Sequence, residues 1–79
     1  MTKLESKLLE LGYIQGSRHI THYHKHIDGD IYVSIILDYK FKEIEDCYVD
    51  SFIRFQKDIV ISQQAFNILQ QDLEVLKDE

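Results

Sequence analysis

The chain lacks several features that would place it in other protein classes. Its 79 residues contain no proline, no tryptophan and one cysteine. The lone Cys47 cannot form an internal disulfide or a thiolate metal cage, and small secreted domains usually carry several cysteines. No apolar run is long enough for a signal peptide or a membrane span. These absences predict a reduced cytoplasmic setting without membrane contact.

The charge balance is acidic. Nine Lys and Arg stand against fourteen Asp and Glu, which gives a formal net charge of -5. Such a chain repels phosphate backbones on average, so direct nucleic-acid binding is disfavoured. Hydrophobic residues make up 44% of the sequence, which is typical of a folded chain, and its length suits one domain over residues 1–79.

Caps and periodicity predict one helix at each end of the chain. Thr2 and Glu5 form a capping-box pattern that starts a helix over residues 3 to 11, and Gly12 ends it. Ser62 is a natural N-cap for a second helix over residues 63 to 77. The apolar stripe of that helix is predicted at Phe66, Leu69, Leu73 and Leu76, and its solvent side at Gln63, Gln64, Gln70, Gln71 and Asp72.

Between the helices, alternation predicts three antiparallel strands. Their ranges are Arg18 to Ile27, Ile31 to Phe41 and Cys47 to Gln56, and Ile59 to Ile61 reads as a short extended piece. Asp28-Gly29-Asp30 predicts a hairpin turn, and Lys42 to Asp46 a second turn. The first strand is polar on both faces, which is typical of an edge strand. We therefore predict an α+β fold in the order α-β-β-β-α, with two helices packed on one face of the sheet.

The first strand is rich in histidine. His22, His24 and His26 project from one face about 7 Å apart, because a strand rises ~3.3 Å per residue. Two histidines separated by one residue on a strand can bind zinc, and the carboxylate of Asp28 or Asp30 could complete the tetrahedral coordination shell. The alternative is that histidines keep an exposed edge from pairing with other chains. A third reading is a homodimer joined through this edge, which would come apart as the histidines gain charge.

Acidic and tyrosine residues suggest a protein-binding surface. Carboxylates concentrate at the two turns and in the third strand, and tyrosines there alternate with the apolar residues. The predicted partner-binding residues are Asp28, Asp30, Tyr32, Glu43, Glu45, Asp46, Tyr48 and Asp50. Such a patch would attract a basic surface, and tyrosine is favoured in interfaces.

Catalytic patterns are missing from the sequence. Glu43, Glu45 and Asp46 lie in a predicted loop without apolar neighbours to raise a pKa, and no Ser-His-Asp or Cys-His spacing stands out. The glycines are scattered singly, so no phosphate-binding loop is indicated. We predict a protein that is not an enzyme and needs no cofactor, with zinc at the histidines as the alternative.

The order of elements resembles the double-stranded-RNA-binding domain. That family binds RNA through a basic cluster at the start of its last helix. Here the corresponding residues are Ser62-Gln63-Gln64-Ala65, which contain no lysine. The resemblance therefore extends to topology and does not carry RNA binding to this chain.

The style of the sequence resembles short phage-encoded proteins of low-GC Gram-positive bacteria. The resemblance lies in the opening Lys3-Leu4-Glu5-Ser6-Lys7-Leu8-Leu9-Glu10-Leu11-Gly12-Tyr13 and in the proline-free, Ile/Lys/Asp-rich composition. Small acidic α+β proteins of this kind include inhibitors of CRISPR nucleases. The resemblance implies a stoichiometric, anti-CRISPR-like inhibitor that binds a basic nucleic-acid-binding surface of a host protein in the bacterial cytoplasm.

Overall fold

The computed structural model describes residues 2–41 and 43–77, so that Lys42 of the predicted second turn lies outside the described residues. The elements are α1 (Lys3–Glu10), β1 (Ile14–Gln15), β2 (His22–Asp28), β3 (Ile31–Leu37), β4 (Ile44–Asp50) and α2 (Gln56–Lys77). The strands form one antiparallel sheet in the order β1-β2-β3-β4. The α+β class and the antiparallel sheet are confirmed, and β1 is a fourth strand that the sequence analysis did not predict.

Helix α1 begins and ends as its sequence predicts. The Glu5 N–H donates to Thr2 Oγ1 at 3.2 Å, and the Thr2 N–H donates to Glu5 Oε1 at 3.0 Å, which completes the capping box. At the other end Gly12 has a φ of 97°, and the Tyr13 N–H donates to Leu8 O at 3.0 Å. This is a Schellman cap, and it directs the chain from α1 into the sheet.

Because β1 pairs with β2, the histidine-rich strand is the second strand of the sheet rather than its edge strand. Ile14 pairs with His24 and Gln15 with Tyr23, and the Gly16 N–H donates to His22 O at 2.8 Å. The predicted edge strand is therefore covered along part of its outer edge. It also begins at His22 rather than Arg18, because residues 16–21 form the connection that returns the chain from β1.

The hairpin between β2 and β3 is confirmed at Gly29, which has a φ of 53°. Asp28 pairs with Ile31 across the turn, and a bulge at Ile27 shifts the register. Such a positive φ favours glycine because other residues clash there.

Strand β3 is the central strand, but it ends at Leu37 rather than Phe41. The Asp38 carboxylate explains this end, because it accepts the N–H groups of Lys40 and Phe41 at 2.9 and 2.6 Å and so stabilises a turn. Tyr39 and Phe41, which belong to the predicted strand, consequently lie exposed in the turn.

Helix α2 is longer than predicted, and β4 is shifted towards the N-terminus. The helix begins at Gln56 because Asp58 Oδ2 accepts the N–H groups of Arg54 and Phe55, each at 2.9 Å. These two backbone donors lower the pKa of Asp58. Ser62 therefore lies inside the helix, the predicted extended piece at residues 59–61 is helical, and the third predicted strand ends at Asp50 rather than Gln56.

Both helices pack on the same face of the sheet. Tyr23 and Lys25 project from one face of β2, and they reach Glu5 of α1 and Asp72 of α2 respectively. The buried core between the layers comprises Leu8, Tyr13, Tyr23, Ile31, Val33, Ile35, Leu37, Ala65, Leu69 and Leu76. None of the described helices is both long and apolar enough to cross a membrane.

A polar cluster lies within this core. Lys25 Nζ donates to Asp72 Oδ2 at 2.6 Å and to Leu11 O at 3.2 Å, and the Tyr13 hydroxyl donates to Asp72 Oδ2 at 2.8 Å. Asp72 is thus buried, and the prediction that it faces solvent is wrong. The sequence could not indicate this, because the partners of Asp72 lie more than forty residues away in the chain.

Candidate functional site

The face of the sheet that the helices leave uncovered is the candidate site. Side chains alternate along each strand, so the residues that do not face the helices share this surface. We call this surface the open face, and it comprises His22, His24 and His26 of β2, Tyr32, Ser34 and Ile36 of β3, and Asp46, Tyr48 and Asp50 of β4.

The strand register arranges these nine residues in three rows. The first row is His26, Tyr32 and Asp50, the second is His24, Ser34 and Tyr48, and the third is His22, Ile36 and Asp46. Side chains directly opposite one another on neighbouring strands come within about 5 Å at Cβ. The register therefore brings together the histidines, tyrosines and aspartates that the sequence analysis assigned to separate hypotheses.

The two tyrosines of the open face are accessible to a partner. Tyr32 is 38% exposed and Tyr48 is 40% exposed. The Tyr32 ring lies 5.1 Å from the His26 ring, which supports it from one side. Between these exposed residues Ser34 is buried, and its hydroxyl shares a hydrogen bond of 3.1 Å with His24 Nδ1. The centre of the open face is thus buried at Ser34, and the exposed rings of Tyr32 and Tyr48 lie beside it.

The three histidines of the open face each contact different groups and do not converge on a common point. His26 Nε2 lies 2.8 Å from Gly29 O, and since a carbonyl only accepts, this nitrogen carries the proton and donates. The His22 ring stacks on His19 at 4.7 Å and lies 6.3 Å from the His24 ring. Within residues 2–41 and 43–77 no group of three or more His, Cys, Asp and Glu side chains is placed to hold a metal ion. Zinc binding by His22, His24 and His26 stays a prediction.

The predicted acidic residues do not form one patch. Asp28 and Asp30 lie at the β2–β3 turn, near the Asp50 end of β4, whereas Glu43 and Glu45 lie at the other end. These ends are about 20 Å apart, because β3 has seven residues that rise ~3.3 Å each. Only Asp46 and Asp50 share the open face, on either side of Tyr48. The acidic surface is therefore divided between the two ends of the sheet.

A bulge in β4 explains why Glu45 does not share the open face with Asp46. Ile36 pairs with Asp46 and Leu37 with Ile44, so Glu45 has no partner in the register. One extra residue in the strand lets Ile44 pack against the core while Asp46 belongs to the open face. Asp46 Oδ1 also accepts the N–H of Cys47 at 2.9 Å.

Two titratable groups with raised pKa values lie on the opposite, helix-covered face. Burial raises the pKa of Tyr13, and the hydrogen bond to Asp72 raises it further. Burial likewise raises the pKa of Tyr23, with a second contribution from the Glu5 carboxylate. The Tyr13 hydroxyl joins the connection between α1 and β1 to α2, and the Tyr23 hydroxyl joins β2 to α1, so both have a structural role.

An apolar groove of about 610 Å³ lies beside β4, and the sequence did not predict it. It is lined by Val49, Ser51, Ile53, Ile59, Ser62, Gln63, Phe66 and Asn67. Phe66 was predicted to pack against the sheet, but it is 53% exposed at this groove. The run from Phe52 to Val60 contains five large apolar residues, but whether they are buried or line a groove depends on where α2 begins.

Comparisons with known protein families, with characterised proteins and with solved structures gave no significant match to this chain.

Proposed function

We propose that this chain is a non-enzymatic protein-interaction domain that binds a basic surface of another protein with its open face. The observation that carries the proposal is the position of Tyr48 between Asp46 and Asp50 on a face that neither helix covers. Tyrosine supplies contact area together with a hydrogen-bonding group, and the flanking carboxylates supply charge that a basic partner would complement.

The charge of the whole chain supports the same partner chemistry. A net charge of -5 gives a field that speeds encounter with a cationic surface and slows encounter with nucleic acid. A protein of this size that occupied a nucleic-acid-binding surface would act stoichiometrically, as an inhibitor. The suggestion that the partner is a CRISPR nuclease of a bacterial host rests on the sequence resemblance alone and stays a prediction.

A matched pair of charge reversals tests the proposal. The first variant carries Asp46→Lys and Asp50→Lys on the open face. The second carries Glu10→Lys and Glu74→Lys, which are exposed on the helices and change the net charge by the same amount. Each protein is immobilised and used to capture partners from extracts of the source organism, and the captured partner is then purified for titration. We expect the first variant to bind about tenfold more weakly or worse, and the second to bind like the unmodified chain.

The salt dependence and the tyrosines provide a second readout. Binding of the purified partner should weaken as salt increases, because exposed charge pairs are screened. Tyr48→Ala should reduce affinity, whereas Tyr39→Ala, in the exposed turn after β3, should not. Equal binding by both charge-reversal variants would contradict a role for the open face.

A further inference from the structure

The groove beside β4 is an exposed, mainly apolar surface. Its walls include Val49 from the strand and Ile59 and Phe66 from the first half of α2. Ile59 and Phe66 are about half exposed, as is Ile53 at the end of the groove. Covering such surface is favourable because it removes apolar area from water. Clustered apolar exposure of this kind marks a binding site more often than isolated exposed residues do.

Strand β4 lies at the edge of the sheet, next to this groove. No strand among residues 2–41 and 43–77 pairs with its outer side. The Cys47 N–H is held by the neighbouring Asp46 carboxylate rather than by another strand. An unpaired strand edge is a template to which an extended segment can add by backbone hydrogen bonds. In the part of the chain that the structure describes, the outer edge of β4 is therefore available to an added strand.

The two sides of this edge differ in chemistry. On the helix side, Val49 and the half-buried Cys47 adjoin the groove and the core. On the open-face side, Asp46, Tyr48 and Asp50 adjoin the edge. Because side chains of an added strand would also alternate, every second one would enter the groove and the others would lie beside the aspartates.

The charge of the edge argues against a second copy as the added strand. Glu43, Glu45, Asp46 and Asp50 lie on or next to β4, which contains no lysine or arginine. Antiparallel pairing of two such strands would place both sets of carboxylates on neighbouring strands about 5 Å apart, where like charges repel. The same carboxylates would attract a basic strand.

We propose that the outer edge of β4 binds an extended segment of another protein in which basic and large apolar residues alternate. The segment adds as a fifth strand, its apolar side chains enter the groove, and its basic side chains lie beside Asp46 and Asp50. This inference rests on the proposed function, since the segment belongs to the same basic partner, and it specifies the secondary structure that the partner presents.

A synthetic peptide tests the edge without the natural partner. The probe is a fluorescent, end-capped Lys-Val-Lys-Val-Lys-Val-Lys, which matches the seven residues of β4. One control has the same composition in two blocks, and another is the alternating peptide with methylated backbone nitrogens. We expect the alternating peptide to bind at least about tenfold more tightly than either control, because only it can pair with the edge and fill the groove together. Equal binding of all three peptides would show charge attraction alone and would overturn the proposal.

Phenylalanine substitutions provide the matched test on the protein side. Phe66→Ala removes a wall of the groove, whereas Phe41→Ala removes a comparably exposed ring from the turn after β3. We expect Phe66→Ala to weaken binding of the alternating peptide about tenfold and Phe41→Ala to leave it unchanged. Equal effects of the two substitutions would contradict binding in the groove.

The remaining outcomes distinguish the occupants and separate this inference from the proposed function. A dimer in light scattering that Phe66→Ala dissociates would assign the groove to a second copy and overturn the proposal. If the peptide fails to bind while capture of the natural partner still requires Asp46 and Asp50, strand addition is excluded and the proposed function stands. If the peptide binds but capture of the natural partner does not require Asp46 and Asp50, the proposed function fails instead.

Discussion

The two faces of the sheet are made from the same strands and have opposite chemistry. On the covered face, the β3 residues Val33 and Ile35 are fully buried beneath the helices. On the open face, their neighbours Tyr32 and Ile36 retain contact with solvent. The covered face therefore determines the fold, whereas the residues of the open face are available for binding. Substitutions on the two faces should therefore differ in kind, and three predictions test this difference.

The largest expected effect is in the polar cluster of the covered face. Asp72→Leu removes the acceptor that the half-buried Lys25 ammonium and the buried Tyr13 hydroxyl share, and it leaves Lys25 with only the Leu11 carbonyl. Removing one partner of a buried ion pair costs about 3 to 5 kcal/mol, so we expect a large fall in the free energy of unfolding in urea. The double variant Lys25→Met and Asp72→Leu should recover most of the loss, and Asp50→Ala on the open face should cost about 0.5 kcal/mol or less. A small effect of Asp72→Leu would mean that the covered face tolerates unpaired charge.

A pair of adjacent isoleucines gives the next largest difference. Ile35→Ala should cost about 3 kcal/mol because it leaves a cavity under the helices. Ile36→Ala deletes the same atoms from the half-buried open face and should cost about 1 kcal/mol. Urea denaturation of both variants measures the contrast. Equal costs would show that the open face is packed as tightly as the core.

The smallest effect is a pH dependence that belongs to the covered face. The pKa of Tyr13 is raised above its ordinary value of 10.0 in the folded chain. The contribution of Tyr13 to the free energy of unfolding is therefore fully present below pH 10. It is lost as the pH rises further, because the unfolded chain releases the Tyr13 proton at a lower pH than the folded chain does. Above pH 10 we expect Tyr13 to lower the free energy of unfolding by up to about 1.4 kcal/mol per pH unit. Tyr13→Phe should remove that part of the slope, and an unchanged slope in Tyr13→Phe would contradict the assignment.

Local signals predicted much of the fold. The capping box at Thr2 and Glu5, the cap at Gly12 and the turn at Gly29 act over a few residues, so the sequence alone reveals them. The start of α2 was missed because Phe55 is not a typical N-cap residue, and the acceptor is supplied by Asp58 inside the helix. Strand β1 was missed because two residues carry no periodicity.

The candidate site was less predictable because it depends on register. The sequence identified Tyr32, Tyr48 and the histidines as unusual, but it could not show that two bulges place them opposite one another. The division of the acidic residues between two ends of the sheet has the same origin. The groove depends on where α2 begins, and so it could not be predicted before that boundary was known.

The two bulges also set the dimensions of the open face. One lies at Ile27 and the other at Glu45, at opposite ends of β3, so the regular ladder spans only the five residues from Tyr32 to Ile36. Three strands about 4.8 Å apart and four rises of ~3.3 Å enclose roughly 130 Å². A stable interface covers about 800 Å² on each partner. The open face can therefore supply only the centre of a contact, and a partner must extend over the edge of β4 or the acidic turns at both ends of the sheet to remain bound.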